Sequence, residues 1–120
     1  MVPRGHRNWI EVRHIAQATV AKFTTSTIVD EEKILVIGRE LLNLVQQAGR
    51  RPIILNFGSV ERISTEMLGN ILALQNRSRN RGGQLILCNL NSRLAEAFAM
   101  VNSEKSITIC GDEKEALLAV

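Results

Sequence analysis

Apolar and polar residues alternate step by step at the start of the chain. WIEVRHI (9–15) and ATVAKFT (18–24) follow the period of a half-buried strand, and with only QA between them they predict a two-stranded hairpin. The period then changes. In TSTIVDEEKILVIGRELLNLVQQAG (25–49), the residues Ile34, Ile37, Leu41, Leu44, Val45 and Ala48 form an apolar stripe at helical spacing. Asp30 is placed to cap that helix, Glu31 and Glu32 suit its positive first turn, and Gly49 suits its end. Gly38 inside the helix costs about 1 kcal/mol against alanine, and close packing on a sheet is the reading given to it.

RPIILNF (51–57) is a short unbroken apolar run with Pro52 near its start. It predicts a strand buried on both faces, hence parallel to a neighbour. GSVERIS (58–64) reads as a loop. A second helix is expected over Thr65–Asn80 with Leu68, Ile71, Leu72 and Leu74 turned inward, and RNRGG (79–83) ends it with cations and a glycine exit. QLILC (84–88) predicts another buried strand, and NLNS (89–92) turns the chain. SRLAEAFAMV (92–101) carries Leu94, Ala97, Phe98 and Val101 at amphipathic helical spacing. SITIC (106–110) is a last short strand. DEKEALLAV (112–120) opens with Asp112 and Glu115 in capping-box spacing and reads as a final helix.

A hairpin followed by helices and strands in strict alternation requires crossover connections. The expected architecture is a single α/β domain with a mixed, mainly parallel sheet of about five strands and about four helices. The chain has 120 residues, of which 45% are hydrophobic, so it suits one domain with a real core. Its longest apolar runs are far too short to span a bilayer, so no membrane span is expected. MVPRGHRNW has no apolar stretch after its basic residues and does not read as a secretory signal. VPRG looks like the scar of an engineered protease site. Residues 1–8 are therefore read as a tag scar or a disordered N-terminus, and 9–120 as the domain.

Charge changes the picture little. Arg4, Arg7 and Arg13 against Glu11 supply +2 of the formal +3, and residues 14–120 are nearly balanced. Such a domain exerts no strong pull on a phosphate backbone, and with only 3% aromatic residues it offers no platform for stacking bases. No nucleic-acid partner is expected. The closely spaced Arg77, Arg79 and Arg81 read as a solvated, dipole-favoured helix end.

Cys88 and Cys110 each close an apolar run and read as free buried thiols at strand ends, which fits a reducing cytoplasm. Neither a CxxC nor a histidine pair is present to suggest zinc, and no cofactor is expected. His6 lies in the suspected scar, and His14 lies in an alternating segment. There is no glycine-rich phosphate loop and no GxSxG elbow. Asn56 stands where a phosphate-accepting receiver domain would want an aspartate. The chain is not expected to be an enzyme.

VERISTEMLGNIL (60–72) holds the candidate chemistry. Ser64 and Thr65 are neighbouring hydroxyls just before an apolar-periodic run, where such residues cap helices. Together with RGGQLILCNLNSRLAEAFAMV (81–101), the segment IILNFGSVERISTEMLGNILAL (53–74) resembles the STAS domain, in particular the stand-alone bacterial anti-sigma-factor antagonists. The resemblance covers about residues 9–120. In that family an Asp-Ser-Ser-Gly-Leu-Gly signature follows the third strand, and its first serine is phosphorylated by a partner kinase that is itself the anti-sigma factor. Aligning Leu68-Gly69 with the signature's Leu-Gly sets Ser64 on the aspartate, Thr65 on the phosphoacceptor, Glu66 on the second serine and Met67 on the glycine.

The resemblance thus implies a serine/threonine kinase and anti-sigma factor as partner. It implies phosphorylation at Thr65, with Ser64 as runner-up, and a contact surface of Ser59, Val60, Arg62, Ser64, Thr65, Glu66 and Met67. Met67 is equally readable as a core residue. Glu66 puts a negative charge beside the acceptor, where it would mimic a phosphorylated state in part or disfavour phosphorylation. A non-phosphorylated STAS scaffold in a signalling or transport assembly is the alternative. The sequence carries no pocket signature for a nucleotide or lipid, so a small-molecule ligand is not expected.

Overall fold

The computed structural model describes residues 9–102 and 106–120, so the readings made for residues 1–8 lie outside the described residues. The hairpin is β1 (Ile10–Ile15) and β2 (Ala18–Phe23), antiparallel with Ile10 opposite Phe23 and Ile15 opposite Ala18. Three further strands, β4 (Ile53–Asn56), β6 (Leu85–Cys88) and β7 (Thr108–Cys110), add to β2 in parallel. The main sheet runs β1-β2-β4-β6-β7. β4 lies between two parallel neighbours, and Ile53, Ile54 and Leu55 are at most 1% exposed, as an unbroken apolar run demands.

Four helices make the crossovers and the C-terminal cover: α1 (Glu31–Ala48), α2 (Thr65–Asn80), α3 (Ser92–Val101) and α4 (Glu113–Leu118). Each starts on a side-chain cap. Asp30 accepts from the Lys33 N–H, Ser64 from Met67, Asn91 from Leu94 and Asp112 from Glu115. Glu115 reaches back to the N–H of Gly111, one residue before the cap. Gly49 ends α1 at φ +60°, a conformation that glycine adopts without strain.

The two faces of the sheet are covered unequally. Ala21, Phe23, Ile53, Leu55, Leu85 and Leu87 meet the main core with α1, α2 and α3, where Phe57 lies between Phe23 and Phe98, tilted to the first at 4.7 Å and edge-on to the second at 5.7 Å. On the other face Ala18, Val20, Ile54, Ile86 and Cys88 pack against the short α4 through Ala116.

Several expectations are corrected. Two strands went unread: β3 (Thr27–Ile28) and β5 (Arg62–Ile63) pair in parallel as a small second sheet, so 58–64 is not wholly loop. Two-residue strands have too few positions to show a period. The inward face of α2 is centred on Met67, Ile71 and Leu74 together with Gln75 and Ser78, while Leu68 and Leu72 are only partly buried beside it. Gln75 can face inward because it accepts the Leu85 N–H at 3.1 Å and donates to the Ser106 carbonyl. Val101 is 38% exposed at the end of α3 and does not join the core stripe. Gly38 does not pack on the sheet: a Cβ there would meet nothing closer than Asn70 Nδ2 at 3.9 Å. Both cysteines are free thiols, but only Cys88 is buried; Cys110 is half-buried.

Candidate functional site: the start of helix α2

The parallel strands point their C-terminal ends at one edge of the domain, and the segment 57–64 crosses that edge before α2 begins. It is held at both ends. The Asn56 Oδ1 accepts the Gly58 N–H at 2.8 Å, and the Asn89 side chain donates to the same oxygen at 3.0 Å. Further on, Glu61 N–H bonds Ser26 O at 2.7 Å and Ser64 N–H bonds Ile28 O at 3.0 Å, which ties the segment to β3. Asn91, the cap of α3, also donates its side-chain amide to the carbonyls of Val60 and Glu61. A segment with its backbone groups satisfied in this way presents a fixed surface.

Ser64 and Thr65 take different parts on it. Ser64 is the N-cap: its Oγ accepts the Met67 N–H at 3.1 Å and its carbonyl accepts from Leu68. Thr65 is the first residue of α2, is exposed, and its hydroxyl makes no hydrogen bond with the described residues. The loss of an aspartate at the cap position thus leaves the helix start intact, because serine fills the capping role. Glu66 is exposed in the first turn, where the helix dipole favours a carboxylate.

The proposed contact surface is only partly a surface. Ser59, Arg62, Thr65 and Glu66 are exposed and Ser64 is half-buried, so these are brought together on one edge. Val60 is 3% exposed and Met67 is fully buried, and both belong to the core. Their side chains anchor the segment from beneath and cannot be offered to a partner. Reading loop residues as exposed fails here because the segment is pinned against α3 and needs apolar anchors.

Sequence reading missed Arg93 and Val29. With Arg62, Ile63, Leu94 and Ala97 they line a hollow of about 230 Å³ beside the start of α2. Val29 is 41% exposed at its edge. Nothing linear links these residues, because they come from three different parts of the chain. His14, the histidine among the described residues, lies opposite Thr19 at the far end of the sheet from Ser64 and cannot serve as its base. Among the described residues no cluster of three or more His, Cys, Asp or Glu side chains could hold a metal, and no helix is long and apolar enough to cross a membrane.

The fold and this edge define a small α/β domain that exposes a hydroxyl at a helix start. The chain belongs to the STAS domain family: the family model matches residues 12–116. Among solved structures it is similar to an anti-sigma-factor antagonist (STAS) domain protein of Planctomyces limnophilus, with TM-score 0.80 and 23% identity over 92% of this chain and 95% of that one. An anti-sigma factor antagonist of Mycobacterium paratuberculosis matches with TM-score 0.80 and 14% identity over 92% of each chain. The Bacillus cell fate determinant SpoIIAA in its phosphorylated form matches with TM-score 0.69 and 16% identity over 90% of this chain and 96% of that one.

Proposed function

We propose that this protein is an anti-sigma-factor antagonist of the bacterial cytoplasm. It binds an anti-sigma factor that is also a serine/threonine kinase, releases the sigma factor, and lets go when Thr65 is phosphorylated. The observation that carries this reading is the division of labour at the start of α2: Ser64 is engaged as the cap, and beside it Thr65 presents an exposed hydroxyl with no partner among the described residues. The likeness to antagonist structures, one of them of a phosphorylated form, supports the same reading.

The physics of such a switch is local. The N–H groups at the start of a helix and its dipole stabilise a phosphate placed there. Phosphorylation adds nearly two negative charges to a surface that otherwise offers Arg62 and Arg93 to a partner. A partner that approaches with carboxylates would then be repelled, and like charge at Glu66 adds to that repulsion.

The test is incubation with ATP and the host's candidate anti-sigma kinases, read by intact mass and peptide mapping. One phosphate is expected on the peptide holding Ser64 and Thr65, retained in Ser64→Ala and lost in Thr65→Ala. Thr65→Glu is expected to lose kinase binding; binding as tight as wild type would sink the switch. Glu66 favours a second reading, a scaffold that is never phosphorylated. No phosphate, with wild type and Thr65→Ala bound equally by the partner, would establish that reading in place of the first.

A further inference from the structure

A second surface begins at Glu66, beside the Thr65 edge, and runs away from it along α1 and α2. α1 and α2 both start at the C-terminal edge of the strands and run side by side over one face of the sheet. Between their outer flanks lies a groove of about 590 Å³, floored by Ile34, Leu35, Gly38, Leu42, Ala73 and Leu74. It continues past Leu42 and Val45 to Arg81 as a smaller hollow of about 180 Å³. The lining positions recur at three and four residues on each helix, so both helices turn one face to it. Along α1 the trough spans residues 31–46, about 22 Å at the helical rise.

Three observations say what fits there. Leu35 is 54% exposed, so the groove holds apolar surface that the fold itself leaves wet. Gly38 sits in the middle of α1 with no contact inside the chain that requires a missing side chain, and across the groove α2 lines it with Asn70, Ala73 and Leu74. The missing side chain at Gly38 leaves room on the α1 flank for another chain to come close. The charges are sorted by end: Glu31 and Glu66 stand at the upper mouth, and Arg77 and Arg81 at the lower, with Arg39 on the rim. Glu31, Glu66, Arg39 and Arg77 have no charged partner among the described residues.

We infer that this groove docks one amphipathic helix of a partner protein, about four turns long and antiparallel to α1 and α2, acidic at its N-terminus and basic at its C-terminus. The antiparallel direction sets its acidic first turn on Arg77 and Arg81 and its basic last turn on Glu31 and Glu66. It also opposes its dipole to those of α1 and α2. A leucine stripe at i, i+3, i+4 and i+7 would cover Leu35 and Leu42 and come down over Gly38. A small amphiphile suits the site less, because an open trough leaves one side of it in water, whereas ligand pockets enclose most of their ligand. The inference does not rest on Thr65 being phosphorylated.

The test uses two fluorescein-labelled synthetic helices of about fifteen residues with the same leucine stripe, one with glutamates first and arginines last, the other with the ends exchanged. Binding to the full chain is read by anisotropy. The first is expected to bind about five- to tenfold tighter, a preference that shrinks at about 1 M salt and in Arg77→Glu. Gly38→Leu should abolish binding while leaving the circular dichroism and the candidate kinase's binding unchanged, which separates this groove from the Thr65 edge. Gly38→Ala serves as the second variant, expected to raise the melting temperature and weaken the peptide together. Equal binding of the two peptides, no binding of either, or binding indifferent to Gly38→Leu would overturn the inference. Concentration-dependent dimers lost in Gly38→Leu would overturn it too, in favour of a second copy as the occupant.

Discussion

Asn56 donates its side-chain amide to the Glu113 carboxylate at 2.7 Å, joining the end of β4 to the first residue of α4 across 57 residues of sequence. The same carboxylate oxygen takes an Arg13 N–H at 2.6 Å from the edge strand β1. The other end of the Asn56 amide holds Gly58 and Asn89. One 6%-exposed side chain therefore ties the segment that leads into Thr65 to the C-terminal helix. Asn56→Ala should cost about 2 kcal/mol, since it removes the bonds to the Gly58 N–H and the Asn89 amide and takes a donor from the Glu113 carboxylate, and urea melts would read it. Asn56→Asp should be worse at neutral pH, because it sets two carboxylates together, and should recover in acid as one of them protonates.

Glu113 also carries a pH dependence. The Arg13 guanidinium, opposed by partial burial and helped by the Asn56 amide, holds its carboxyl below the ordinary 4.5. A carboxyl depressed in the folded state adds stability that is complete above its unfolded value and is lost as pH falls through the folded one. Glu113→Gln is therefore expected to melt lower than wild type at pH 7, with the gap closing well below 4.5. A gap that stays constant across that range would mean that the ion pair with Arg13 contributes nothing.

The two hydroxyls at the start of α2 can be told apart by stability alone. Ser64→Ala removes the bond to the Met67 N–H and should cost about 1 kcal/mol. Thr65→Ala removes an exposed group with no partner among the described residues and should stay within about 0.5 kcal/mol. Thermal melts of both variants check this without any kinase. Equal losses would mean that Thr65 is structural, which would weaken its candidacy as acceptor.

Much of this fold is legible in the sequence for physical reasons. The hairpin shows because its residues alternate apolar and polar, although β1 buries only Ile10 and leaves Val12 43% exposed, and the inner strands show because both their faces are dry. Caps such as Asp30 and Asp112 show because the helix start selects for short acceptors. What stays hidden are contacts made between distant segments. Asn56 looks like an aspartate missing from a strand end until Glu113, Asn89 and Gly58 surround it. Gln75 looks like a surface glutamine, yet it bonds β6 and the carbonyl of Ser106 from within the core. The candidate site follows the same division. Ser64 and Thr65 are visible at a helix start, whereas the burial of Val60 and Met67 in the main core and the approach of Arg93 depend on segments distant in sequence.

The thiols should differ sharply in reactivity. Burial, then the nearby Glu113 carboxylate, pushes the Cys88 thiol up to about 12. Burial and Glu115 also raise Cys110, but it is half-buried and reachable. The thiolate is the reactive form, so Cys88 stays inert at any ordinary pH. Iodoacetamide at pH 8.5 should alkylate Cys110 slowly in the native protein and Cys88 only after unfolding. Peptide mapping of the two adducts reads this, and native labelling of Cys88 at a rate like that of Cys110 would mean that α4 opens readily.

Two glycines make opposite demands. A Cβ at Gly83 would meet the Gly49 carbonyl at 2.7 Å and the Ser78 Oγ at 2.8 Å, so the exit of α2 passes too close to the end of α1 for any side chain. Neither contact can yield cheaply: one atom is backbone, and Ser78 is 2% exposed. Gly83→Ala should therefore cost more than about 1 kcal/mol and loosen the junction of the two helices. Gly38 has ordinary helical surroundings and its nearest neighbour is the Asn70 amide at 3.9 Å. Gly38→Ala should stabilise the chain by about 0.5–1 kcal/mol through helix propensity and a less free unfolded state. Denaturant melts of the pair decide between these terms. A loss at Gly38 would mean that its helix is bent or crowded where the geometry shows space, and a gain there means that the folded chain alone has no use for glycine at the floor of the groove.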